Sequence, residues 1–267
     1  MKKIIFVFIL LSIAVIECYA QDKTGLVHYG EIQSMGMGGP VGPDYNAILV
    51  FNKSNSLFIT RQDSLEGGHI LKQGQFNGSG GTIYQTVVTN KPGFLFYKDK
   101  KTNTLYSRDI GFNYVKDTKI NIHWNITNDT KTVGDYKVQK ATAQFRGRNY
   151  VAWFSPEIPL PYGPWKLGGL PGLVLEAYDS NKEIYWYFKS IEYPTKHSEL
   201  LKPIQSPKNQ WMSYQDIKEK MIQKVISTQK SSRMAAENVN VSLTVSGDLK
   251  SEMLNNYIEA YSISKMK

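Results

Sequence analysis

Cysteine is all but missing from this sequence: it holds one, Cys18, inside an apolar leader. A disulfide framework, thiol catalysis and a cysteine zinc site are therefore excluded from everything that follows residue 18. Histidine is scarce as well. His28, His69, His123 and His197 stand far apart and lack the short ligand spacing of a zinc motif, so no metal is expected. Met35 and Met37 have no histidine cluster beside them to hold copper or iron. No serine sits in a nucleophile elbow, and the glycines of residues 78–81 lack the lysine and hydroxyl residue that complete a phosphate loop. No cofactor is expected. Acids are also under-represented, 23 against 32 lysines and arginines, for a formal net charge of +9. The basic residues are spread along the chain with acids between them, which reads as a solvated basic exterior. Peripheral contact with an anionic membrane surface is compatible with it. Nucleic acid is not an expected partner, because no recognition module accompanies the charge.

What is present starts with a leader. Lys2 and Lys3 precede an apolar run over residues 4–16, and Cys18-Tyr19-Ala20 places a small residue before Gln21. This pattern predicts an export signal over residues 1–20, too short for a comfortable membrane span and without a stop-transfer segment after it. A lipid anchor at Cys18 is the alternative, against which Ile16 and Glu17 stand, since lipoprotein sites favour small and apolar residues there. The expected location is the periplasm or the exterior. The expected organisation is residues 1–20 signal, 21–230 one β-rich domain with a late helix, and 231–267 an extension.

Residues 165–179, WKLGGLPGLVLEAYD, form the landmark of the chain. Gly168, Gly169, Pro171 and Gly172 make a constrained turn that feeds a strand. In that strand Leu173, Leu175 and Ala177 alternate with Val174, Glu176 and Tyr178. Around it, strands are expected over residues 25–34, 47–51, 56–60, 83–89, 93–97 and 104–107, with a flexible insertion over 61–81. Residues 120–126 alternate most clearly, Ile120, Ile122, Trp124 and Ile126 against Asn121, His123 and Asn125, and residues 128–134 break that pattern. Residues 136–155 predict a hairpin turning at Gly147, and residues 173–179 and 184–191 a second one. Residues 156–164 are a proline-rich crossing. Apolar residues Ile217, Met221, Ile222, Val225 and Ile226 predict a helix entered at Ser213 and Asp216. A strand over 238–245 and a short helix over 251–261 complete the expectation. The fold class is mainly β, with α+β as the variant: a curved antiparallel sheet or partly closed barrel with a packed C-terminal helix. The lipoprotein-carrier half-barrel is a geometric analogy only.

Residues 169–174 read GLPGLV, one conservative step from the motif after which the GLPGLI family is named. Residues 134–141, Gly147-Arg148, Ala152-Trp153-Phe154, Glu157-Ile158-Pro159 and Gly163-Pro164-Trp165 extend the likeness. The chain thus resembles that family over roughly residues 124–193. The resemblance implies an exported protein with no settled biochemical activity. Many of those relatives carry cysteine where this chain has Val138, so a disulfide or metal role for that cysteine does not transfer.

Two functional readings follow. Trp153, Phe154, Tyr162 and Trp165 surround the proline crossing, and Tyr185 and Tyr187 lie in the next hairpin. On a curved sheet one face of these aromatics could line a groove for an apolar small molecule, a peptide or an envelope protein; their other use is as core. That predicts a noncatalytic cell-envelope binding or assembly protein. The second reading is a divergent hydrolase in which Glu157 and Glu176 oppose each other across a cleft. Gly169, Pro171 and Gly172 are assigned a structural role.

Overall fold

The computed structural model describes residues 23–34, 37–78, 81–109, 112–118, 120–238 and Glu259. The expected signal, Cys18, Met35 and nearly all of residues 238–267 lie outside that set. No described helix is long and apolar enough to cross a membrane.

Twelve strands share one sheet: β1 (Gly25–Gln33), β2 (Asp44–Phe51), β3 (Asn55–Thr60), β6 (Phe94–Asp99), β7 (Thr104–Arg108), β8 (Tyr114–Asp117), β9 (Asn125–Val133), β10 (Tyr136–Phe145), β11 (Arg148–Ser155), β12 (Leu173–Asp179), β13 (Ile184–Glu192) and β14 (Met212–Ser213). β4 (Leu71–Gly78) and β5 (Gly81–Val88) form a separate hairpin. The order is β14-β8-β7-β6-β3-β2-β1-β13-β12-β11-β10-β9. Every pairing in it is antiparallel except β14 with β8, so the sheet is mixed at one edge, and it does not close. The fold class read from the sequence holds.

The two expected hairpins form as read. Arg146 and Gly147, between β10 and β11, both take positive φ (50° and 80°), the signature of a type I′ turn. The helix, α1 (Tyr214–Asn238), opens on a reciprocal cap: the Asp216 amide donates to Ser213 Oγ (3.1 Å), and the Ser213 amide donates to an Asp216 carboxylate oxygen (3.0 Å). Ile217, Met221 and Ile222 then pack against Val115 of β8.

Three local expectations are corrected. Residues 71–78, read as part of a flexible insertion, form β4. The strand expected over 120–126 begins only at Asn125 and runs on through residues 128–133. Upstream of Asn125 the alternation persists, with Ile120 buried and Asn121 and His123 exposed, but the chain has left the ladder. It dips under the sheet, where the Trp124 indole donates to the Gly168 carbonyl (2.9 Å). β9 was hidden because an edge strand of polar residues, NITNDTKTV, carries no apolar stripe.

Curvature follows from what meets across the sheet. Arg146, in the β10–β11 turn, ion-pairs with Asp117 of β8, although these strands lie near opposite ends of the order. One core cluster joins residues from β1, β2, β3, β6, β7 and β10 to β13 with Ile158, Tyr162, Trp165, Leu167 and Leu170. Opposite residues on this inner face run Glu31, Trp186, Ala177, Ala152 and Ala141 from β1 to β10. The three alanines leave depth in the bowl, and residues 156–172 fill it. Trp165 stacks on Trp186 at 5.9 Å and 13°, with Phe145 edge-on to it at 5.7 Å.

The outer face differs between its two halves. Over β1, β2, β3 and β6, a second cluster of Leu26, Ile48, Val50, Leu57, Ile59 and Tyr97 is covered by Leu65, Leu201 and Ile204. Over β12 and β13, Tyr178, Tyr185 and Tyr187 belong to no hydrophobic cluster among the described residues.

Candidate functional site

The six aromatics singled out in the sequence divide between the two faces. Phe154, Tyr162 and Trp165 are core, at 0%, 2% and 3% exposure. Tyr185 and Tyr187 are half-buried and point outward; Trp153 is half-buried on the same side as Glu176 and also packs against the core cluster. The reason is strand parity: successive side chains on β11 and β13 alternate, so Trp153 and Phe154 cannot share a face. The inner face is therefore packed rather than a groove at these positions.

On the outer face the three are joined by Tyr178, which the sequence reading left out. Strand pairing places Trp153 opposite Glu176, Tyr178 opposite Tyr185, and Tyr187 opposite Gly30. The Trp153 indole donates to the Tyr178 hydroxyl (3.4 Å). Tyr178 meets Tyr185 edge-on at 5.9 Å, and Tyr185 meets Tyr187 at 5.6 Å. Tyr187 lies across β1 because residue 30 is glycine; a Cβ there would run into its ring. Its hydroxyl donates to Asp44 (2.6 Å), and burial together with that carboxylate pushes its pKa up to about 12. Burial, then the charge of Glu176, raises Tyr185 as well. Tyr185 and Tyr187 stay neutral across the physiological range.

Lysines flank the row. Lys131 sits 4.4 Å over the Trp153 ring, Lys182 5.0 Å over Tyr178, and Lys189 5.4 Å over Tyr187. Two nearby charges are matched locally: Lys131 donates to Glu176 at 2.6 Å and Lys140 to Asp129 at 3.0 Å. Lys140 holds the Asp129 carboxyl below its ordinary pKa.

Beside Tyr178 the same face holds an open depression of about 430 Å³. It forms where the chain peels off the ladder before Asn125, exposing the flank of β10. His123, Asn125, Thr142, Gln144, Asn149 and Ser180 supply its polar lining, with Val151 among the apolar residues. Val151 lies opposite Thr142 on one side and Tyr178 on the other, so depression and aromatic row are continuous.

The two acids of the hydrolase reading are held separately. Glu176 is partnered by Lys131, while Glu157 is exposed and accepts the Lys137 amide at 3.2 Å. No hydrogen bond joins them among the described residues. The buried charges elsewhere are matched: Arg61 with Glu31 (3.4 Å), Arg148 with Asp179 (2.9 Å) and Glu183 (3.4 Å), and Lys166 with Glu259 (2.6 Å). Burial raises the Asp179 pKa despite its arginine. Among the described residues, no group of three or more His, Cys, Asp or Glu is placed to hold a metal ion. In the GLPGL turn, Gly169 (φ 89°) and Pro171 are exposed, while Gly172 is buried against β11.

Alternation along β12 sets Tyr178 away from the buried Leu175 and Ala177, but its pairing with Tyr185 needed the strand register. The amide-lined depression needed the register of β9 on β10, which composition does not carry.

No protein-family model matches the chain, and no curated protein does. Two solved structures of PNGF-II, in P21 and C2 crystal forms, are similar to it at 15% and 14% identity, with TM-scores of 0.47 and 0.45. The matches cover 74% and 68% of this chain but 32% and 30% of those chains, so it spans about a third of their length.

Proposed function

We propose that this chain is a noncatalytic binding or assembly protein of the cell envelope, exported by residues 1–20 and akin to the GLPGLI proteins it resembles. Its recognition surface is the outer face of β11 to β13. One observation carries this reading: the packed segment 156–172 occupies the bowl, while Trp153, Tyr178, Tyr185 and Tyr187 stand half-exposed in a row outside. Half-exposed aromatics fixed on strands suit binding, because a rigid ring gives up little conformational freedom when a partner covers it. Their hydrogen bonds to one another and to Asp44 hold the row in place before any partner arrives. The lysine-capped rings also suit contact at a membrane surface, where aromatic bodies and ammonium heads partition together.

The test is native recovery from the envelope of the cell that makes the protein, comparing the wild-type chain with a Trp153→Ala/Tyr185→Ala variant. Losing two anchor rings weakens capture by about 30-fold or more, at roughly 2 kcal/mol for such a pair. The component that copurifies with the wild type is therefore lost from the variant, while a cooperative melt shows that the variant is folded. Recovery of the same component by both proteins would overturn the placement of the site.

A further inference from the structure

We infer that the outer face binds an uncharged oligosaccharide, seated over Val151 between the aromatic row and the amide-lined depression. This rests on the binding role proposed above and names the class of ligand.

Three observations lead to it. First, no Asp, Glu, Lys or Arg lines the depression; most of its accessible wall is apolar, and its polar side chains are amides, hydroxyls and one imidazole. A charged ligand would find no counter-charge there, whereas side-chain amides offer a donor and an acceptor together. That is the pattern which matches a hydroxyl, itself both donor and acceptor.

Second, Asn125, Thr142, Gln144 and Asn149 make no side-chain hydrogen bond to other described residues. Their hydrogen-bonding capacity is open to a ligand. Tyr178 is different: it accepts from Trp153, and its place in the row is set.

Third, aromatic surface adjoins these amides at a distance a short saccharide spans. Trp153 and Asn149 lie four residues apart on the outer side of β11, about 13 Å at the rise of an extended strand. Sugars carry apolar C–H faces and polar hydroxyl edges. An aromatic ring beside a bank of amides serves both, which a purely apolar peptide or lipid chain would not use.

The charges beside the row agree. Lys131 is spent on Glu176 and Lys140 on Asp129, so the strip from β9 to β12 presents little net field to an anion. Lys189 lies over Tyr187 on the β1 side of the row, and Lys182 is laid over the Tyr178 ring at the border of the depression without lining it.

The experiment titrates the full chain with hexasaccharides of glucose, mannose and N-acetylglucosamine. Parallel arms use polygalacturonate and phosphatidylglycerol vesicles. The inference requires saturable binding of at least one neutral hexasaccharide, insensitive to salt. It also requires an about tenfold loss in a Gln144→Ala/Asn149→Ala variant; both side chains are exposed, so the fold tolerates their removal. Binding of none of the three sugars, equal binding by the variant, or binding confined to the acidic polymer or the vesicles would each overturn it. If the sugars fail while Trp153→Ala/Tyr185→Ala still loses its copurifying component, the ligand class is wrong and the face is right. If that variant keeps the component, the face itself is wrong.

Discussion

Replacing Gly172 with valine should lower the melting temperature by about 6–12 °C, although the residue itself is buried and has no side chain. A Cβ at this position would land on the Ser155 carbonyl oxygen and within 3.0 Å of the Pro156 nitrogen. Both obstacles are backbone, so no side-chain rotation relieves them. The loop enters β12 here at closest approach to the end of β11, where Leu173 opposes Ser155. Forcing the two apart strains the ladder and the bowl filling together. Overpacking of this kind costs about 3 kcal/mol, and each kcal/mol moves the midpoint of a chain this size by roughly 2–4 °C. Calorimetry of the variant checks it. A midpoint unchanged from wild type would mean that the strand entry has slack and that the motif has another use.

Trp186→Ala should cost about 3–5 kcal/mol, enough to move the melting midpoint by roughly 6–20 °C. Its ring is fully buried, stacked on Trp165 and tilted against Tyr150 at 6.4 Å. Its indole also donates to Glu31 at 2.8 Å. Removing it leaves a cavity under the 156–172 segment and takes a donor from a carboxylate that is 1% exposed. Phenylalanine at 186 separates the two effects, since it restores much of the volume without the donor. Urea melts of both variants should therefore rank wild type above Phe and Phe above Ala. An alanine variant within about 1 kcal/mol of wild type would show that Trp165 and its neighbours do not depend on this contact.

The hairpins around β10 to β13 were legible in the sequence because alternation, turn residues and strand length agreed there. The segment between them was legible as a crossing but not as core. Loops usually stay at the surface because buried backbone must find hydrogen-bond partners. This one supplies its own: Leu160 donates to Ile158, Tyr162 to Leu160, Leu167 to Pro164, Gly169 to Pro161, and Val174 to Tyr162. Pro159, Pro161 and Pro164 have no amide to satisfy. That self-sufficiency lets Tyr162 and Trp165 sink into the bowl, and local sequence does not show which way a loop folds.

The binding face was half legible. Trp153, Tyr185 and Tyr187 were found as aromatics, and alternation along β12 put Tyr178 on the side away from Leu173, Leu175 and Ala177. What stayed hidden depends on register. A bulge between Trp153 and Phe154 in the β11–β12 pairing decides which residue of β12 faces each of them. The depression exists only because β9 joins β10 at Asn125 instead of at Ile120. The clear alternation of residues 120–126 suggested otherwise, since an amphipathic segment can bury its apolar side against a loop as well as within a ladder.

Thiol labelling of two single-cysteine variants tests the arrangement most directly, in a Cys18→Ser background that leaves no other thiol. Tyr178→Cys places a thiol in the outer row, and Leu170→Cys places one in the segment that fills the bowl, where Leu170 is 1% exposed. The thiol at 178 should react at close to the rate of a free thiol, while the one at 170 should react only when denaturant opens the fold. Rapid labelling at 170 in native buffer, with protection at 178, would contradict the arrangement: the bowl would then be the open face and the aromatic row the covered one.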